Sequence, residues 1–199
     1  MRLVGIAALF SGVALLAHIL TNISLRVGLG VTVLIALGGL YLAFKRSDPE
    51  EKKNIIKIAL VGTIVGLAAT GVYDFAKYIL ARFDPSPYNP YEAIRVFGSL
   101  LVGEGSSLQA QRVAGTLFHF LNGTCFAIAY AFLFKKHGIL TGILWGVFLE
   151  TFQLTLYPGW LDIKFYEEFT RISFFSHIIY GIVLGVGIKY GLHKVRVVQ

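Results

Sequence analysis

Four ionisable residues, Asp74, His119, Glu150 and His177, each lie within a long apolar run. Carboxylate and imidazole exchange protons near neutral pH, and both bind metal ions. Inside a bilayer such groups cost several kcal/mol unless they are paired, neutral or facing water. Their spacing repeats along the chain. Asp74 ends the series Gly62, Gly66, Thr70, Asp74, and Glu150 ends the series Gly138, Gly142, Gly146, Glu150. His119 opens His119, Gly123, Ala127, and His177 opens His177, Gly181, Gly185. Residues four apart share one face of a helix, and small residues there let two helices approach closely. The chain therefore reads as two hairpins of one pattern. Each has a small-residue stripe ending in an acid, followed by a histidine that opens a second stripe.

Six apolar segments have the length of a membrane span: Leu3–Thr21, Val27–Phe44, Ile55–Ala81, Val113–Phe134, Gly138–Tyr157 and Ile172–Tyr190. The last four carry the hairpin pattern, as a parallel repeat about an axis along the membrane normal. Helical rise puts both acids about 12 Å, and both histidines roughly 9–11 Å, from the same ends of their spans. The four side chains are thus expected at one level. His18, near the end of the first span, approaches that level without support from the repeat.

Four uses of such a cluster remain open. Asp74 with His119, and Glu150 with His177, could be hydrogen-bonded pairs that hold helices together in a structural or accessory subunit. Two histidines and two carboxylates also form a ligand set for a divalent metal (zinc, iron or manganese) that could activate water, although each ligand comes from a different helix. His119 and His177 could ligate haem between them. The acids could also carry protons in a small proton-coupled transporter.

The composition decides the class of protein. Of 199 residues 56% are hydrophobic and 15% charged, and the mean hydropathy is +0.70. A chain of this size cannot hide so much apolar surface in its own core, so lipid must cover it. The net charge of +7 fits membrane orientation better than nucleic-acid binding, because the basic residues sit between apolar runs. Lys45, Arg46, Lys52 and Lys53 lie in one turn, Lys135 and Lys136 in another, and Lys189, Lys194 and Arg196 near the C-terminus. The positive-inside rule places these turns and both termini in the cytoplasm of a prokaryotic plasma or inner membrane. The single cysteine, Cys125, excludes an intrachain disulfide and a multi-cysteine metal site. Arg2 before an apolar run resembles a signal peptide, but no clean cleavage site follows, so a retained first span is expected. No phosphate-binding glycine loop and no nucleophile elbow is present. Asn122-Gly123-Thr124 lies too deep to accept a glycan.

Residues 82–112 form the longest outer loop. Asn89 before Pro90, with Glu92 following, predicts a capped short helix over Tyr91–Val102. Trp160, Phe165 and Tyr166 among Asp162, Lys164, Glu167 and Glu168 suit an interfacial anchor.

The run Phe118-His119-Phe120-Leu121-Asn122-Gly123 to Ala129-Tyr130 resembles the central span of the YagU-like inner-membrane proteins. Phe165-Tyr166-Glu167-Glu168 through His177-Ile178-Ile179-Tyr180 resembles their aromatic-acidic loop and the span after it, and Tyr157-Pro158-Gly159 occupies the matching turn. The resemblance covers roughly residues 62–191. It implies a membrane location and a shared histidine pair, and it assigns no catalytic role. The sequence thus predicts one all-α membrane domain, residues 1–199. Its four-helix core is 55–191, and residues 1–44 add an N-terminal hairpin. Its expected partner is the lipid bilayer, with a homo-oligomer formed through the glycine stripes as a further expectation.

Overall fold

A computed structural model of the chain describes residues 1–161 and 163–197. Asp162, a charge of the expected interfacial loop, lies outside the described residues. The described chain forms eight helices: α1 (Arg2–Ala7), α2 (Phe10–Thr21), α3 (Leu25–Arg46), α4 (Pro49–Phe83), α5 (Glu92–Val102), α6 (Leu108–Leu133), α7 (Ile139–Leu161) and α8 (Tyr166–Lys194). Of these, α3, α4, α6, α7 and α8 are long and apolar enough to cross a membrane, and the chain is a multi-pass membrane protein. The expected first span is divided. The Leu9 N–H bonds the Ile6 carbonyl at 3.1 Å, one residue short of α-helical register, and this tight turn separates α1 from α2.

Local chemistry sets the helix ends. Asp48 caps α4: its side chain accepts from the Glu51 N–H at 2.8 Å, and Glu51 accepts from the Asp48 N–H at 3.3 Å, with Pro49 in the first turn. The 35 residues of α4 extend about 52 Å, well beyond a hydrocarbon core of about 30 Å. Ser107 caps α6 through the Ala110 N–H at 3.2 Å, so that helix starts before the expected Val113. α8 takes in Tyr166, Glu167 and Glu168, which were expected in a loop; the two acids lie in its first turn and face the positive end of the helix dipole. The turn expected at Tyr157-Pro158-Gly159 is helix instead, because α7 continues to Leu161. Pro158 forfeits one bond, to the Leu154 carbonyl, close to the helix end where the loss is tolerable. At α5, Asn89 accepts from the Tyr91 N–H at 3.0 Å. The expected capping box does not close, because the Glu92 carboxylate turns to Arg95 at 2.6 Å.

α4 is the central helix. It packs on α6 along one side and on α8 along the other, while α7 pairs with α8 and α5 lies on α6. The predicted stripes form these interfaces. A Cβ added at Gly62 would lie 2.9 Å from the Ile128 Cα, one at Gly66 2.7 Å from the Ala127 Cβ, and one at Gly123 2.2 Å from Thr70 Oγ1. In the second hairpin a Cβ at Gly142 would lie 2.1 Å from the Gly181 carbonyl oxygen, one at Gly146 2.2 Å from that of His177, one at Gly181 2.3 Å from that of Gly142, and one at Gly185 2.7 Å from the Ile139 Cα. Gly138 alone has room, with the Lys189 side chain 3.9 Å away. Apart from Gly138, the stripe glycines are therefore packing contacts within the chain.

Candidate functional site

The small-residue contacts hold the two helix pairs in matching registers, and those registers bring the acids to the histidines. His119 lies eleven residues into α6, as His177 does in α8; both are about 16 Å from their helix starts. His119 Nε2 is 2.9 Å from Asp74 Oδ1, and His177 Nδ1 is 2.7 Å from Glu150 Oε2. Tyr73 lies against both imidazoles, with ring centroids 5.9 Å from His119 and 4.8 Å from His177. The four predicted residues thus form two acid–histidine pairs, and both histidines adjoin one tyrosine. Among the described residues no three His, Cys, Asp or Glu side chains gather as a metal-binding group.

The pairs differ in setting. Asp74 and His119 each keep about a fifth of their side-chain surface, whereas Glu150 keeps 1%. Glu150 Oε2 also accepts from Ser173 Oγ at 2.8 Å, and Ser173 Oγ accepts from Gln153 Nε2 at 2.7 Å. Glu150 Oε1 is buried without a partner among the described residues. His119 Nε2 is hydrogen-bonded to Asp74, while His177 Nδ1, beside Glu150, is hydrogen-bonded to the Ser173 carbonyl at 3.1 Å, so each imidazole keeps its other nitrogen, Nδ1 of His119 and Nε2 of His177, for whatever meets it.

Both histidines line a cavity of about 770 Å³. Its walls are mostly apolar side chains, drawn from α2, α5 and α7 with smaller contributions from α4, α6 and α8. Phe97 and Tyr157 form an aromatic roof on the cavity, backed by Trp160 and His18: Phe97 stacks on Trp160 with centroids 6.0 Å apart, and His18 meets Trp160 edge-on at 5.8 Å. His18 itself is held by the Ile23 carbonyl at 2.8 Å and belongs to this roof. Below the roof α2 and α7 do not pack as a pair. Val13, Phe148 and Phe152 line the cavity and are 49%, 49% and 43% exposed, so the cavity opens sideways, toward lipid. Near the roof, burial holds the phenols of Tyr88 and Tyr91 above the usual tyrosine range. Tyr91 donates to the Asp74 carbonyl at 2.9 Å.

Several participants were not foreseen. Lys77, read from sequence only as a basic residue on the outer side, lines the cavity and is 7% exposed. Its signal was available: a lysine three residues after Asp74 in an apolar helix shares that residue's face. Tyr73, Gln153 and Ser173 carried no such signal, because tyrosine, glutamine and serine are tolerated in spans for many reasons. Trp160, expected in an interfacial anchor, packs against Phe97 and Tyr157 of the cavity wall.

Fold and cavity define a multi-pass, all-α membrane protein with a laterally open, largely apolar chamber that carries a few polar groups. Compared with known proteins, the chain matches no family model, and no curated protein and no solved structure matches it either.

Proposed function

We propose that the chain is a membrane-embedded binding protein for an amphiphilic molecule, which enters between α2 and α7 and presents its polar head to the two carboxylate–histidine pairs. The observation that carries this reading is the cavity itself: apolar walls opening sideways, with His119 and His177 on its inner surface. Such a site suits a ligand with a tail that matches lipid and a head that needs hydrogen bonds. With the basic turns in the cytoplasm, the cavity belongs to the outer leaflet. Of the uses open to this residue set, a substrate site is favoured over metal or haem. Each histidine is already held by its own acid, and Tyr73 stands against both rings. The kinship with YagU-like proteins is part of the proposal and adds no activity.

The test is mass spectrometry of lipids retained by the detergent-purified full chain, compared with Val13→Trp at the mouth. A discrete amphiphile bound by wild type and depleted in a folded Val13→Trp supports the reading. Equal retention by both, or no retention by wild type, overturns it.

Proton-coupled movement of the ligand is a second reading, favoured by the chain from Gln153 through Ser173 to the half-satisfied Glu150. Proton uptake in liposomes that Glu150→Gln abolishes would support it; uptake unchanged in that variant would remove it.

A further inference from the structure

Lys77 is the one strongly buried cation of the cavity wall. It is 7% exposed, and it has neither an ion pair nor a hydrogen bond among the described residues. The neighbouring acid is engaged elsewhere, since Asp74 is bound by His119 at 2.9 Å. Glu92, also at the wall, is bound by Arg95 at 2.6 Å. What Lys77 does touch is Tyr73, whose ring centroid lies 5.2 Å from Nζ. That places the ammonium beside the tyrosine that adjoins both histidines. A buried ammonium needs a compensating anion, and a cation–π contact alone offsets little of its lost hydration.

We propose that Lys77 recognises an acidic head group, so that the ligand is an anionic amphiphile carrying a carboxylate or a phosphate on an apolar tail. The inference rests on the cavity being a ligand site, as proposed above. Lys77 supplies the charge, and the free nitrogens of His119 and His177 supply hydrogen bonds to the same head. The tail lies along Val13, Phe148 and Phe152 and leaves through the lateral opening.

Three probes with one oleoyl chain separate the possibilities: oleate, lysophosphatidic acid and neutral monoolein. Each is titrated against the full chain in detergent and read by native mass spectrometry, for wild type, Lys77→Met and Lys77→Arg. Wild type is expected to bind at least one anionic probe roughly tenfold or more tightly than monoolein. Lys77→Met should bind that probe no better than monoolein, with monoolein binding itself unchanged, and Lys77→Arg should keep the preference. Preference for oleate identifies a carboxylate head, and preference for lysophosphatidic acid a phosphate head. Equal binding of all three probes by wild type, or an anion preference that survives Lys77→Met, overturns the role of Lys77 and leaves the cavity as a ligand site. Failure of every probe to bind overturns both. Unchanged monoolein binding also reports that Lys77→Met is folded.

Discussion

His177 Nδ1 stands 2.7 Å from Glu150 Oε2 on a neighbouring helix, where the acid retains 1% of its side-chain surface. The equivalent contact of the other hairpin, His119 with Asp74 at 2.9 Å, joins side chains that each keep about a fifth. The two contacts use different ring nitrogens, Nδ1 of His177 and Nε2 of His119, and differ in burial. Interhelical polar contacts in membranes contribute about 0.6 kcal/mol on average and about 1.7 kcal/mol at most. A less screened pair belongs nearer the upper figure. Double-mutant cycles with Glu150→Ala/His177→Ala and Asp74→Ala/His119→Ala, read by unfolding in detergent, should give coupling near 1.5 kcal/mol for the first pair and near 0.6 kcal/mol for the second, both as approximate values. Equal or reversed couplings would show that burial does not set their strength.

Gly138 and Gly142 belong to one sequence stripe and should respond oppositely to a methyl group. At Gly142 a Cβ would meet the Gly181 carbonyl oxygen at 2.1 Å, and backbone cannot step aside as a side chain can. Gly142→Ala should cost about 1–3 kcal/mol. At Gly138 the nearest atom is 3.9 Å away, on the flexible Lys189 side chain, so Gly138→Ala should fall within about 0.5 kcal/mol of wild type. Melting of both variants in one detergent decides the matter; comparable losses would contradict the close approach of α7 and α8.

That contrast shows what was legible in the sequence. The spacing of Gly62, Gly66, Gly142 and Gly146 identified the packing faces, and the acids and histidines at the stripe ends met as expected, because helical period fixes both face and depth. Spacing could not reveal that Gly138 lies at a free end. Nor could it show the crossing of α5 on α6, where a Cβ at Gly98 would fall 1.7 Å from the Gln111 carbonyl oxygen and one at Gly115 1.8 Å from that of Ile94. Gly98 stands alone, and Gly115, although four residues before His119, belonged to no stripe that was read as a packing face. The cavity was invisible for a related reason: it is bounded by a gap between α2 and α7, and a gap leaves no periodic trace.

Asp84, at the end of α4, ties that helix to α8 through Arg171. Hydrogen bonds from Ser86, and then the Arg171 guanidinium, hold its carboxyl below the ordinary 3.8. A carboxylate with a depressed folded-state pKa contributes stability above its unfolded value and loses that contribution as pH falls through the folded one. Asp84→Asn should therefore lower the melting temperature at neutral pH, and the gap from wild type should narrow only below about pH 4. A gap independent of pH down to 3 would mean that the charge of Asp84 contributes nothing.

Ser47 and Ser86 lie just beyond opposite ends of α4. A helix of about 52 Å that crosses a core of about 30 Å must place its two ends on different sides. Cys125, 5% exposed inside the bundle, is the only native thiol. Cys125→Ala removes little volume, so it should give a folded background for single cysteines. In intact cells a membrane-impermeant maleimide should label Ser86→Cys, and should label Ser47→Cys only after the membrane is permeabilised, as the positive-inside rule expects from Lys45, Arg46, Lys52 and Lys53 around Ser47. The reverse pattern would turn the cavity toward the cytoplasmic leaflet and change which lipids can reach Lys77. Labelling of both positions in intact cells would contradict α4 as a span.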